Sequence, residues 1–85
     1  MSRKPPVGSV QKWITVAEDI LQDWDGKKVS IKVENSVVPD WGYMKLEYKI
    51  DGKKKTKYWY GECSEQDCVR FVNDLTGNWI SIKPF

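Results

Sequence analysis

Between Tyr43 and Gly61 apolar and polar residues alternate on both sides of an Asp51-Gly52 pair, and this pattern restricts the stretch to a β-hairpin. Met44, Leu46, Tyr48 and Ile50 make one face of its first strand, and Tyr43, Lys45, Glu47 and Lys49 make the other. Two registers compete. A two-residue turn sets Lys55 and Lys57 beside Tyr48 and Leu46 on the buried face, where a charged head is costly to desolvate. A three-residue loop, with Gly52 in the left-handed position of a bulge, shifts the parity by one and brings Thr56, Tyr58 and Tyr60 to that face instead. The bulged register is the expected one, and it turns Lys55, Lys57 and Trp59 outward.

Lys28 to Glu34 alternates in the same way, with Val29, Ile31 and Val33 against Lys28, Ser30, Lys32 and Glu34, and reads as a half-buried strand. Asn35 to Gly42 reads as a loop with apolar anchors, because Pro39 lacks the amide that a central strand needs. Upstream, Val10, Trp13, Ile14, Ala17, Leu21 and Trp24 recur at helical spacing and predict a helix from Val10 to Trp24. A Thr15/Glu18 capping box competes with that start and would open the helix only at Val16. In either version Asp25-Gly26 stops it.

Downstream, Ser64-Glu65-Gln66-Asp67 is a second capping-box pattern, and Cys68, Val69, Phe71, Val72 and Leu75 follow on one helical stripe, giving a helix from Glu65 to Leu75. Thr76-Gly77-Asn78 ends it, and Trp79 to Lys83 alternates as a short last strand that could complete the core or add to a partner's sheet. The expected fold class is α+β: an antiparallel three-stranded sheet plus a short C-terminal strand, with two helices packed on one face, in the order α-β-β-β-α-β. With 85 residues this is one domain, over residues 9–85, behind a flexible arm at residues 1–8 that holds two prolines and two basic residues.

The chain has no histidine, the side chain that activates most serine and cysteine nucleophiles, and its carboxylates do not converge in any recognisable motif. It is expected to lack catalytic machinery and to take no cofactor. Two cysteines without histidine leave a four-ligand zinc shell incomplete. Cys63 and Cys68 straddle the start of the second helix and read as buried thiols, with a local disulfide as the alternative. No stretch approaches the roughly 20 apolar residues of a membrane span, and the basic N-terminus lacks the apolar run of a signal peptide, so a cytoplasmic location is expected.

In the bulged register the outer sheet face carries Lys28, Lys32, Tyr43, Lys45, Lys49, Lys55, Lys57 and Trp59, diluted by Glu34 and Glu47. Residues 27–61 hold nine lysines against four acids, a net +5, while the rest of the chain nets −3. Lysines that neutralise phosphates, interleaved with aromatics that stack on bases, suit nucleic acid, DNA more than RNA. The run Trp41 to Gly52, followed by Tyr58-Trp59-Tyr60-Gly61 and the capped helix start through Cys68, resembles the apetala-type DNA-binding domain of ethylene-response factors. That resemblance implies a sheet that enters the major groove, with outward roles for Lys45, Lys49, Lys55, Lys57 and Trp59. The guanine-reading arginines of that family are missing here. The element order is also similar to double-stranded-RNA-binding domains, but Glu65 and Asp67 at the helix start would repel the phosphate that those domains bind there. The competing expectation is a small phage-type inhibitor, anti-CRISPR-like or anti-restriction-like, that binds a host protein through Trp59, Trp41, Tyr43 and lysines.

Overall fold

A computed structural model describes residues 4–83. Four strands, β1 (Val10–Gln22), β2 (Lys28–Pro39), β3 (Tyr43–Ile50) and β4 (Lys53–Tyr60), are followed by one helix, α1 (Ser64–Thr76). The strands form a single antiparallel sheet in sequence order, β1-β2-β3-β4. The chain is α+β, but the expected three-stranded sheet with two helices is not formed.

The expected first helix is β1. Cross-strand pairs run from Val10↔Pro39 to Gln22↔Lys28, with a register shift between Thr15 and Ala17 that leaves Val16 as an extra residue. The bulge explains the misleading periodicity. Ile14, Ala17 and Leu21 all pack against the core; the inserted residue stretches the first step from two positions to three, and the polar Asp19 between Ala17 and Leu21 makes the next apolar step four, so the spacing imitates a helix. Thr15, the supposed cap, instead pairs with Glu34.

The stretch expected as a loop continues β2 to Pro39. Beyond the Asn35↔Met44 pair β3 no longer accompanies β2, so Pro39 borders only β1 and its missing amide breaks no second ladder.

The β3–β4 hairpin has the two-residue turn, not the bulge. Asp51 (φ 52°) and Gly52 (φ 78°) both sit at positive φ, as a tight hairpin matching the strand twist requires. Lys57 therefore pairs with Leu46 and Lys55 with Tyr48. The anticipated desolvation cost is avoided because β4 is an edge strand. The Lys57 stem runs out over the helix, its Nζ lying 4.3 Å from the Phe71 ring centroid and 5.7 Å from that of Trp59, and Lys55 stays exposed.

The helix covers the β3–β4 half of one sheet face. Cys68 and Val72, four residues apart, are fully buried, and they meet Val29, Ile31, Val33, Met44 and Leu46 in the core. Phe71 lies against Tyr48 and Trp59, with ring centroids 5.5 and 5.8 Å away. The Ser64 capping box is not made: Cys63 occupies the N-cap with no side-chain bond, and Ser64 is buried inside the first turn. At the other end Gly77 takes the left-handed C-cap conformation (φ 75°) and donates its amide to the Asn73 carbonyl at 2.6 Å.

The segment after α1 covers the β1 side of the same face. Ile80 and Ile82 pack on the core, Trp24 Nε1 donates to the Asp74 carbonyl (3.1 Å), and Asn78 Nδ2 donates to the Gln22 carbonyl (3.1 Å). Residues 79–83 are not a strand, since one backbone bond, from the Lys83 amide to the Val16 carbonyl at 2.9 Å, joins them to the sheet. Of the expected N-terminal arm, residues 1–3 lie outside the described residues; Val7 is fully exposed.

Candidate functional site

With α1 and the last segment both on one face, the opposite face of the sheet is open, and cross-strand pairing defines it row by row. The first row holds Trp13, Ser36, Tyr43 and Tyr60; the second, Thr15, Glu34, Lys45 and Tyr58. The third is Glu18, Lys32, Glu47 and Thr56, the fourth is Ile20, Ser30, Lys49 and Lys54, and Gln22 beside Lys28 completes the face. Directly opposed residues share a face. One end of the open surface is therefore aromatic and the other is lysine-rich, separated by about 20 Å along the strands.

The eight residues expected to form one surface are divided by the sheet. Lys28, Lys32, Tyr43, Lys45 and Lys49 lie on the open face. Lys55, Lys57 and Trp59 lie on the helix side, because the two-residue turn keeps the parity that the bulge would have changed. The same correction applies to the outward roles that the apetala resemblance implies for these three. In their place the open face gains Lys54, Thr56, Tyr58 and Tyr60 from β4, and Trp13 from β1. The Asp-Gly turn was the signal that could have placed the β4 residues. Trp13 was obscured by the helical spacing of its neighbours.

Local contacts hold the aromatic end in place. Lys45 Nζ sits 3.3 Å from Glu34 Oε1 and 4.5 Å from the Trp13 ring centroid, and the side chains of both ions are mostly covered, at 16% and 14% exposure. Lys45 is thus occupied beneath the aromatics and is not a free phosphate ligand. Trp13 and Tyr58 lie with centroids 6.3 Å apart, and Tyr43 and Tyr60 with centroids 4.4 Å apart. The Tyr60 ring rests on Gly42, where a β-carbon would come within 3.0 Å of its Cδ2 and Cζ atoms. Asp40 accepts the Gly42 amide at 2.8 Å, and its carboxylate beside the Tyr60 hydroxyl holds that phenol above its ordinary pKa.

No family model, curated protein or solved structure matches this chain.

At the basic end Lys54 meets Glu47 at 3.5 Å, while Lys28, Lys32 and Lys49 make no ion pair among the described residues. Five lysines against three glutamates leave the face positive, by less than the expected surface would have been. A shallow hollow of about 180 Å³, lined by Glu18, Ser30, Lys32, Glu47, Lys49 and Lys54 among others, is smaller than the roughly 300 Å³ at which small-molecule sites begin. A second hollow, of about 210 Å³ between Ile50 and Lys55, lies on the helix side.

The cysteines differ from the expected buried pair. Cys68 is fully buried and its thiol is pushed up to about 12 by desolvation, with Glu65 adding to the shift; Cys63 is exposed, and both are free. Among the described residues no three His, Cys, Asp or Glu side chains gather as a metal site, and no helix is long and apolar enough to cross a membrane.

Proposed function

We propose that this chain is a noncatalytic nucleic-acid-binding module of the cytoplasm that works through the open face of its sheet. The observation that carries the reading is the one-sided cover: helix and C-terminal segment share one face, and the other presents Trp13, Tyr43, Tyr58 and Tyr60 beside Lys28, Lys32, Lys49 and Lys54. Tyr60, which is exposed, and the half-buried Trp13, Tyr43 and Tyr58 supply stacking, and lysines supply counterion release. Two unpaired cysteines support the cytoplasmic placement.

The test is salt-dependent binding. If Lys28, Lys32 and Lys49 each neutralise one phosphate of a single strand, log K falls with a slope of about −2 in log salt, so affinity drops about 20-fold between roughly 50 and 200 mM. A slope near zero removes the reading.

A second reading has its own observation. Val38 (45% exposed), Trp41 (58%) and Tyr60 (46%) lie in or beside the β2–β3 connection, the kind of aromatic patch that anchors protein interfaces. It would serve a small inhibitor of a host protein, as phages encode. Capture of a host protein that is lost with Trp41→Ala and insensitive to Lys32→Ala with Lys49→Ala would favour it.

A further inference from the structure

We infer that the occupant of the open face is a single-stranded nucleic acid, its bases stacked on the aromatic rows and its phosphates led toward the lysine rows; this rests on the nucleic-acid reading above. The sheet is the wrong shape for a groove. Four strands about 4.8 Å apart put the axes of β1 and β4 about 14 Å from each other before side chains are counted, whereas a major groove about 12 Å wide admits a helix or a two-stranded ribbon. Nor can the β3–β4 hairpin act alone as such a ribbon. Val29 pairs with Ile50, and Lys27 Nζ meets Asp51 Oδ2 at 2.9 Å, so the β1–β2 and β3–β4 turns end side by side and neither projects.

The side chains agree with the shape. Duplex bases present only their edges, which proteins read with arginine or lysine at guanine and asparagine or glutamine at adenine; apart from Lys45, held by Glu34, the lysines of this face lie toward the end away from its rings. The chain has two arginines, Arg3, which lies outside the described residues, and Arg70, which lies on α1; Gln22 is the only amide side chain in the rows of the open face. What the face offers are ring surfaces, and these require unstacked bases with a free π-face. Tyr60 is held ready for that by Gly42, Asp40 and Tyr43. The Asp40 charge also repels phosphate from the aromatic end, which directs the backbone toward Lys32 and Lys49. Asp40 is engaged with the Gly42 amide and Tyr60, Glu34 with Lys45, and the Ser36 hydroxyl with the Tyr43 amide at 2.9 Å, so these groups hold the rings in place.

The experiment is fluorescence anisotropy at low salt with three labelled probes of equal length: an oligothymidylate, the matching oligouridylate and a DNA hairpin duplex. The oligothymidylate and the oligouridylate are each expected to bind at least about tenfold more tightly than the duplex. Tyr60→Ala should weaken oligothymidylate binding by about 5- to 150-fold, the range of one base–aromatic stack, and leave the salt slope unchanged. Lys32→Ala with Lys49→Ala should reduce the slope by about 1.4. Tyr60→Phe, which keeps the ring, should bind nearly as well as the parent and separates stacking from folding. Duplex binding equal to or tighter than that of both single strands overturns the inference and leaves the nucleic-acid reading standing. Absence of binding to all three probes removes both.

Discussion

Gly42 gives the sharpest test of how the aromatic end is assembled. Its φ is not positive, so alanine meets no backbone strain there, and the substitution acts only through the ring that lies on it. A β-carbon would approach Tyr60 Cε2 most closely and lie 3.0 Å from Cδ2 and Cζ, contacts that force the ring to swing away. Tyr60 is 46% exposed, so roughly 100 Å² of its surface is covered, worth up to about 2.5 kcal/mol at about 25 cal/mol per Å². Against this loss, replacing glycine stabilises by about 0.4–1 kcal/mol through the unfolded chain. Gly42→Ala is therefore expected to destabilise by about 1–2 kcal/mol, a fall of about 5–15 °C in Tm. In a Tyr60→Ala background no ring is displaced, and the same substitution should stabilise by about 0.4–1 kcal/mol. Urea or thermal unfolding of the four proteins measures the cycle. A Gly42→Ala effect of the same sign and size in both backgrounds would refute the packing argument.

Three further outcomes follow from the contacts above. Under native conditions a thiol reagent should modify Cys63 alone, with two thiols per chain reacting in denaturant; because the folded pKa of Cys68 is raised, the stability it confers is full below about 9 and lost as pH rises toward about 12, a decline that Cys68→Ala should flatten in alkaline unfolding titrations. Glu34→Ala leaves Lys45 without its counter-charge beneath Trp13 and should cost about 1–3 kcal/mol by urea unfolding, whereas Glu34→Leu with Lys45→Met should cost less than the single change. Gly77→Ala combines a positive φ with a contact 2.8 Å from the Trp24 ring, so Trp24→Ala should relieve part of its thermal destabilisation and never all of it.

The sequence disclosed what depends on local alternation and concealed what depends on a single inserted or omitted residue. Val29, Ile31 and Val33 on one side of β2, and Met44 and Leu46 on one side of β3, are buried as their period predicts. The stripe of Cys68 and Val72 likewise places α1, because one amphipathic helix against a sheet needs no further information. In β1 one extra residue at Val16 converts a period of two into apparent helical spacing, and no local propensity marks the site of a bulge. The capping boxes at Thr15 and Ser64 fail for a related reason: Thr15 is engaged by a neighbouring strand and Ser64 is buried inside the first helical turn, and tertiary placement outweighs a cap worth about 1 kcal/mol.

The candidate site is half legible because the cost of lysines on the hairpin's inner face depends on the strand's position in the sheet, which no local pattern reveals. In a central strand Lys55 and Lys57 facing a hydrophobic core would be prohibitive, and the bulged register would have followed. At an edge the same side chains need cover only their stems, and Lys57 lies across Phe71 while its charge reaches solvent. Releasing that constraint lets Asp51-Gly52 adopt the turn it locally favours. Trp59 then belongs to the core and Tyr58 and Tyr60 to the open face, so the turn determines both how the hairpin closes and which rings are available to a partner. Charge plays the smaller part in that outcome. Moving Lys55 and Lys57 to the other side leaves an open face whose distinguishing property is its rings, and a stacking ligand fits such a face better than a long stretch of phosphate does.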